Sequence, residues 1–162
     1  MEGCRINTTI KGIPTIFVDA DSCPVKEEIV EIASKFSIKV LFVASYDHHG
    51  MNDTTYADWK YVDSRKEAAD LFIMNHTVKG DITITQDIGL ASTLLLKGVH
   101  VLSPKGILYE EKEIQTALDL RYLHAKARKK GIYGKGPKPF NADDRTKFIM
   151  CLTKILSKFA GI

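Results

Sequence analysis

The chain has 162 residues, of which 44% are hydrophobic and 27% charged. This composition excludes a disordered or collagen-like chain, and the length suits a single globular domain with a full hydrophobic core. No apolar run approaches the roughly 20 residues that cross a bilayer, and no segment resembles a secretion signal. Three scattered cysteines, Cys4, Cys23 and Cys151, argue against a disulfide framework or a structural zinc site. We therefore expect a cytoplasmic protein without a membrane partner.

The net charge of +3 conceals an uneven distribution along the chain. From Arg121 to the end there are 11 Lys/Arg and 2 Asp/Glu, whereas residues 1–120 contain 12 Lys/Arg and 18 Asp/Glu. The segment 121–138 contains seven basic residues and no acidic residue. Such asymmetry favours an anionic partner, although a solvated helix face followed by a basic loop would have the same composition.

Apolar strands alternate with amphipathic helices after a weakly patterned N-terminal extension (residues 1–13), so we predict a single domain over 14–162. Strands are predicted over 15–19, 38–43, 59–62, 82–85 and 99–102. Helices are predicted from Pro24 to about Phe36, Ser64 to about His76, Ile88 to Lys97, Glu110 to about Lys130, and Asn141 to about Phe159.

This alternation predicts an α/β fold with a mostly parallel, doubly wound sheet of about five strands flanked by helices. The last helices would form a basic C-terminal helical extension. In such sheets ligands bind beyond the carboxyl ends of the strands. Residues that directly follow strands are therefore the first candidates for a functional site.

Five acidic residues are predicted to meet at the carboxyl edge of the sheet, because they end a strand, follow one, or begin the helix after one. They are Asp19, Asp21, Glu67, Asp70 and Asp87. Glu67 and Asp70 are three residues apart and share one helix face. Asp81 precedes the fourth strand, so it is predicted to lie at the opposite edge.

Converging carboxylates repel one another, and a divalent cation relieves that repulsion. Hard carboxylate oxygens suit Mg²⁺ or Mn²⁺. Two such ions about 3.5–4 Å apart can activate a water and stabilise the leaving oxygen of a phosphodiester. An acidic crevice beside a basic segment is therefore typical of a metal-dependent nuclease, whose lysines contact the phosphate backbone.

Structural roles are open for most of these acids. Asp87 could cap the helix that follows it. Ser64-x-x-Glu67 has the form of a capping box, and Asp21 could cap the first helix or hold the turn before Pro24. Asp19 is harder to explain structurally, because a carboxylate at the end of an apolar strand is costly without a partner.

Four segments match, in order, the pattern of a known family; they are Val18-Asp19-Ala20-Asp21-Ser22-Cys23-Pro24-Val25-Lys26, Ala68-Ala69-Asp70, the run from Gly80 to Ala91, and Gly136-Pro137-Lys138. Over residues 14–158 the chain resembles the bacterial YaiI/YqxD family. That family is similar to PIN-like domains, which are metal-dependent ribonucleases with a parallel sheet and an acidic site. The resemblance implies that Asp19 is the strand-one acid, Asp70 the helix acid and Asp87 the acid of the T-x-D turn. Glu67 stands where relatives carry Asp.

The leading hypothesis is a PIN-like, Mg²⁺- or Mn²⁺-dependent phosphodiesterase that acts on RNA or another nucleic acid. Asp19, Asp70 and Asp87 are the predicted catalytic residues and metal ligands. Asp21, Glu67 and Thr85 are predicted to be accessory. The predicted nucleic-acid contacts are basic residues near the C-terminus, namely Lys126, Arg128, Lys129, Lys130, Lys135 and Lys138.

Two other classes of protein fit parts of the pattern. A non-catalytic nucleic-acid-binding module would use the basic segment alone. A haloacid-dehalogenase-like phosphatase would use Asp19 as nucleophile and Asp21 as general acid/base, but the chain has no room for a sizeable cap domain. Minor candidates near the site are the pair His48-His49 and Cys23. The histidine pair fits a substrate contact or a solvated loop pair, and a helix start can lower the thiol pKa of Cys23.

Overall fold

The computed structural model describes residues 13–46, 56–65, 67–134 and 138–160. Within these residues the strands are β1 (Ile16–Asp19), β2 (Val40–Ser45), β3 (Asp58–Val62), β4 (Ile82–Ile84) and β5 (His100–Leu102). The α-helices are α1 (Lys26–Lys35), α2 (Ala68–His76), α3 (Ile88–Leu96), α4 (Glu111–Lys129) and α5 (Ala142–Ala160). A short 3₁₀ turn, Ala20–Ser22, follows β1 directly. The alternation of strands and helices predicted from the sequence is confirmed.

The five strands form one sheet in the order β3-β2-β1-β4-β5, and every strand pair is parallel. The chain runs outward from β1 through β2 to β3, and then crosses back to place β4 on the other side of β1. The strand order therefore reverses between β1 and β4, where doubly wound sheets form their ligand crevice. The predicted α/β fold is confirmed, and the reversal directs attention to the ends of β1 and β4.

Helices cover both faces of the sheet because successive side chains along its central strands point to opposite faces and are apolar on both. On one face, Val18 and Phe42 belong to a core that α1 and α5 complete. On the other face, Phe17 packs in a second core with residues of α2, α3 and the start of α4. Two helical layers thus cover the faces of the sheet, and polar side chains can gather at its carboxyl edge.

The two C-terminal helices differ in how they join the domain. α5 buries Phe148 and Leu152 in the core beside α1, so it is an integral layer of the fold. α4 buries Ile114 near its start, whereas Tyr122 and Leu123 in its second half are exposed. The predicted helical extension is therefore confined to the second half of α4.

Two predicted helix starts are wrong by a few residues. α1 begins at Lys26, because Pro24 and Val25 form a turn before it. α2 begins at Ala68, which leaves Glu67 at the N-cap position without a side-chain capping bond. The Ser64-x-x-Glu67 capping box is therefore not formed, and Glu67 is not engaged as its partner.

In the part of the chain that the structure describes, no helix combines the length and apolar character required to cross a membrane. The N-terminal residues 1–12 lie outside the described residues.

Candidate functional site

Asp19 ends the central strand at the point where the strand order reverses. Its carboxylate is largely buried and accepts a hydrogen bond from the Thr85 hydroxyl, with 3.1 Å between the two oxygens. Burial raises the pKa of Asp19, the Thr85 bond lowers it, and the charges of Asp21 and Asp87 raise it further. A carboxylate is thus held at the end of an apolar strand with one hydroxyl partner and acidic neighbours.

Thr85 connects the acids that follow β1 and β4. Its fully buried hydroxyl donates to Asp19 and accepts the backbone N–H of Asp87 at 3.0 Å. This double role explains the T-x-D spacing, since a hydroxyl two residues before Asp87 reaches both groups. The Thr85 hydroxyl therefore orients both the Asp19 carboxylate and the backbone at Asp87.

Asp87 has two roles. It is the N-cap of α3, where its Oδ1 accepts the backbone N–H of Leu90 at 3.1 Å, so the predicted helix cap is confirmed. Beside burial, the charge of Asp87 also raises the pKa of Asp70. Capping therefore does not isolate this carboxylate from the other acids.

Asp70 lies in the first turn of α2 and faces the same group of acids. Its pKa is raised from 3.8 to about 6, first by burial and then by the charges of Asp87, Asp19 and Glu67. The neighbouring charges that raise the pKa values of Asp19 and Asp70 are all carboxylates. Negative charge is therefore concentrated at this edge.

Asp21 joins the 3₁₀ turn to the end of β2. Both of its carboxylate oxygens accept the backbone N–H of Ser45, at 3.1 and 3.2 Å. This bond differs from the predicted helix cap and gives Asp21 a positioning role, while its charge still acts on Asp19. We call Asp19, Asp21, Glu67, Asp70 and Asp87 the acidic cluster.

Asp81 lies at the opposite edge of the sheet, as its place before β4 predicts. It is buried, and its two oxygens accept the backbone N–H groups of Thr15 and Val78 at 3.0 and 2.9 Å. This carboxylate is therefore fully used in joining two chain segments.

The acidic cluster consists of hard oxygen donors of the kind that suit Mg²⁺ or Mn²⁺. Among the described residues, no three His, Cys, Asp or Glu side chains are arranged to hold a metal ion. Burial and the charges of Asp87 and Asp19 raise the pKa of Asp70 to about 6. The donor chemistry fits a divalent cation, which would offset the repulsion among these carboxylates.

Two residues beside the cluster were missed by sequence reasoning. Tyr109 is half-buried, and its pKa is raised by burial and by the charge of Asp87, and lowered by a hydrogen bond to Ser103. Ser103 directly follows β5, so the rule that site residues follow parallel strands could have identified it. Tyr109 lies in the irregular segment before α4, where no periodicity marks it.

The predicted basic contacts are only partly described. Lys126, Arg128, Lys129 and Lys130 are exposed at the end of α4, and Lys138 is exposed before α5. The backbone carbonyl of Lys138 accepts a hydrogen bond from the Lys105 ammonium, at 2.9 Å. Lys135, His48 and His49 lie outside the described residues.

Cys23 is not an activated thiol. It is buried, and burial raises its pKa to about 11. The lowering that a helix start can produce does not prevail, because α1 begins three residues later. Cys23 is therefore a small core residue.

The parallel sheet with order β3-β2-β1-β4-β5, its two helical layers and the acids beside β1 and β4 define a doubly wound α/β domain of the PIN-like type. Residues 17–158 match the uncharacterised bacterial YaiI/YqxD family. The chain belongs to this family, and the predicted resemblance is confirmed.

The curated relatives cover nearly the whole chain. A UPF0178 protein of Bacillus velezensis is 51% identical over 162 residues, which are 100% of this chain and 96% of the relative. A UPF0178 protein of Bacillus pumilus is 49% identical over 163 residues, covering 99% and 98%. One from Listeria welshimeri is 51% identical over 144 residues, covering 89% and 96%. No solved structure matches the chain.

Proposed function

We propose that this protein is a Mg²⁺- or Mn²⁺-dependent phosphodiesterase that cleaves RNA or another nucleic acid at the acidic cluster. The observation that carries the proposal is that Asp19, Asp70 and Asp87 come from three separate elements, and that burial and neighbouring carboxylates, Asp87 among them, raise the pKa values of Asp19 and Asp70. Proteins rarely bury such repulsion without a compensating group. A divalent cation is the group that these oxygens suit.

In this proposal Asp19, Asp70 and Asp87 hold the metal, and Asp21 and Glu67 are accessory acids. When bound, the metal would supply an activated water and neutralise the charge that develops on the phosphodiester. Thr85 keeps the Asp19 carboxylate oriented through its hydroxyl.

Basic residues would guide the nucleic acid towards the cluster. Four of them extend over the exposed end of α4, a surface whose positive charge suits a phosphate backbone. We assign backbone binding to Lys126, Arg128, Lys129, Lys130, Lys135 and Lys138. Salt should therefore weaken binding of the nucleic acid.

A nucleic-acid-binding module without catalysis is the alternative that a specific observation favours. Asp87 caps α3 and Asp21 holds the end of β2, so both carboxylates have structural bonds. The phosphatase is less well supported, because the bidentate contact of Asp21 with Ser45 opposes its use as a general acid/base.

The test is cleavage of labelled RNA and DNA oligonucleotides with Mn²⁺, Mg²⁺ or EDTA, comparing the wild type with Asp19→Asn. We expect metal-dependent cleavage that Asp19→Asn abolishes, since it removes the central carboxylate charge. Asp58→Asn is the matched control, because Asp58 is exposed at the amino end of β3, away from the cluster.

The outcomes separate the candidates. Retained cleavage in Asp19→Asn would overturn the assignment of the site. Salt-sensitive binding by both proteins without cleavage would favour the binding module. Hydrolysis of a phosphomonoester in place of the oligonucleotides would favour the phosphatase.

A further inference from the structure

A cavity of about 650 Å³ adjoins the acidic cluster at the carboxyl end of the edge strand β3. Its lining extends from Tyr46, after β2, to the first turns of α2. Glu67 belongs to both the cavity and the acidic cluster, so the two are continuous. The volume is within the range of small-ligand sites, about 300–1,000 Å³.

Tyr46 and Tyr61, which line the cavity, are the last two members of a row of aromatic rings. Phe42 stacks on Trp59 in the core with 4.5 Å between ring centres, Trp59 lies 6.0 Å from Tyr61, and Tyr61 lies 6.4 Å from Tyr46. Tyr46 is 62% exposed. The row thus presents an exposed ring on a rigid base, which is how proteins build a stacking surface for unpaired bases.

Charged groups of both signs also line the cavity. The Lys60 ammonium lies 5.7 Å from the centre of the Phe72 ring, and Arg65 Nε lies 3.2 Å from an oxygen of Asp63. The Arg65 side chain is 83% exposed. Donors and acceptors therefore stand together beside an aromatic face, a combination that suits the polar edge of a nucleobase better than a bare phosphate.

We propose that this cavity binds one unpaired nucleobase of a single-stranded nucleic acid, stacked on Tyr46, with its edge towards Arg65. A base inside a duplex has both faces covered by its neighbours and cannot stack in this way. With a cation bound at the acidic cluster, the phosphate attached to the base would lie towards Glu67 and Asp70. Cleavage of that phosphate rests on the proposed function, whereas binding of the base does not.

The experiment measures binding of a labelled eight-nucleotide single-stranded RNA in EDTA, where metal-dependent cleavage is absent. The signals are anisotropy of the label and fluorescence of Trp59, which is the chain's single tryptophan. We expect Tyr46→Ala to weaken binding about 5- to 150-fold, the range for loss of one base–aromatic stack. Tyr46→Phe should retain binding, because it keeps the ring.

Matched controls isolate the base. Tyr122→Ala removes another exposed tyrosine, on α4, and should leave the affinity unchanged. An oligomer without bases should bind the wild type as weakly as the intact RNA binds Tyr46→Ala. A blunt duplex should bind the wild type and Tyr46→Ala equally.

Each outcome decides one question. Equal affinity of the wild type and Tyr46→Ala for the single strand would overturn the base site, and so would an equal loss on the duplex. If Tyr46→Ala has no effect while Asp19→Asn abolishes cleavage, the base site fails and the proposed function stands. If Tyr46→Ala weakens binding and no oligonucleotide is cleaved, the base site stands and the proposed function fails.

Discussion

The two edges of the sheet treat buried carboxylates in opposite ways. At the amino edge, Asp81 receives two backbone N–H groups and joins the chain before β1 to the turn before β4. At the carboxyl edge, Asp19 receives one hydroxyl and faces other acids, and its pKa is raised by burial and by the charges of Asp21 and Asp87. One carboxylate is satisfied by the protein itself, and the other is left in repulsion that a ligand can relieve.

This difference separates structural acids from functional candidates more sharply than burial does, since both carboxylates are largely buried. A satisfied carboxylate stabilises the fold and gains nothing from a cation. A carboxylate among like charges lowers the free energy of unfolding unless a cation or a proton binds. Changes at each edge should therefore affect different measurements.

Thr85→Val should produce the largest effect among the changes that keep every charge. It removes the hydroxyl that donates to Asp19 and accepts the Asp87 N–H. Loss of a group that orients a metal ligand costs about 10- to 100-fold in metal affinity or activity. We expect that loss in Mn²⁺ affinity and in the proposed cleavage.

Thr83→Val is the matched control for Thr85→Val. Thr83 is also buried in β4, but its hydroxyl has no hydrogen-bond partner among the described residues. An isosteric methyl group should therefore leave Mn²⁺ affinity unchanged and raise the free energy of unfolding, by about 1 kcal/mol. Equal losses of affinity in the two variants would contradict a specific role for Thr85.

Asp81→Asn should affect stability rather than activity. Its amide keeps one acceptor oxygen and turns an NH₂ group towards the N–H that the other oxygen had accepted. We expect the free energy of unfolding to fall by about 2 kcal/mol in urea titrations. Asp58→Asn, on the exposed start of the edge strand β3, should change it by less than about 0.5 kcal/mol.

The folded fraction of Asp81→Asn should keep the Mn²⁺ affinity of the wild type. A loss of metal binding without a loss of stability would reverse the roles assigned to the two edges.

The acidic cluster could be predicted because its members follow from periodicity and topology. Apolar runs identify β1 and β4, and parallel strands place their carboxyl ends at one edge. Asp19 and Asp87 therefore share one edge in any such sheet, and Asp81 lies at the other. That Asp19 and Asp87 are close neighbours follows from the pairing of β1 with β4, which only the structure shows.

Other features depend on contacts that a linear pattern does not contain. Asp21 bonds Ser45 because β1 and β2 pair in one register, so its carboxylate is not available as a helix cap. Glu67 is not engaged in a capping box because α2 begins later than its pattern indicates. The aromatic row requires β3 beside β2, since Tyr46 and Tyr61 come from different strand ends.

Asp70→Asn tests the combined cost of burial and of repulsion between acids at the carboxyl edge. The folded-state pKa of Asp70 is raised from 3.8 to about 6, so the folded protein holds this proton more tightly than the unfolded chain does. Ionisation of Asp70 therefore lowers stability as the pH rises from about 4 to 6, and the penalty is complete above that range. Because the amide stays neutral, Asp70→Asn should be more stable than the wild type in EDTA at pH 7.5.

The expected difference is about 1 kcal/mol, because Asp70 is only half-buried and solvent screens its interactions. Urea titrations should show the difference disappearing near pH 3.5, where the wild-type carboxyl is protonated in both states. Mn²⁺ should then reverse the order at pH 7.5, since a cation held by the intact acids stabilises only the wild-type fold. Equal stability of the two proteins at both pH values would mean that the acids of this edge do not repel one another, and the case for a cation there would lose its physical basis.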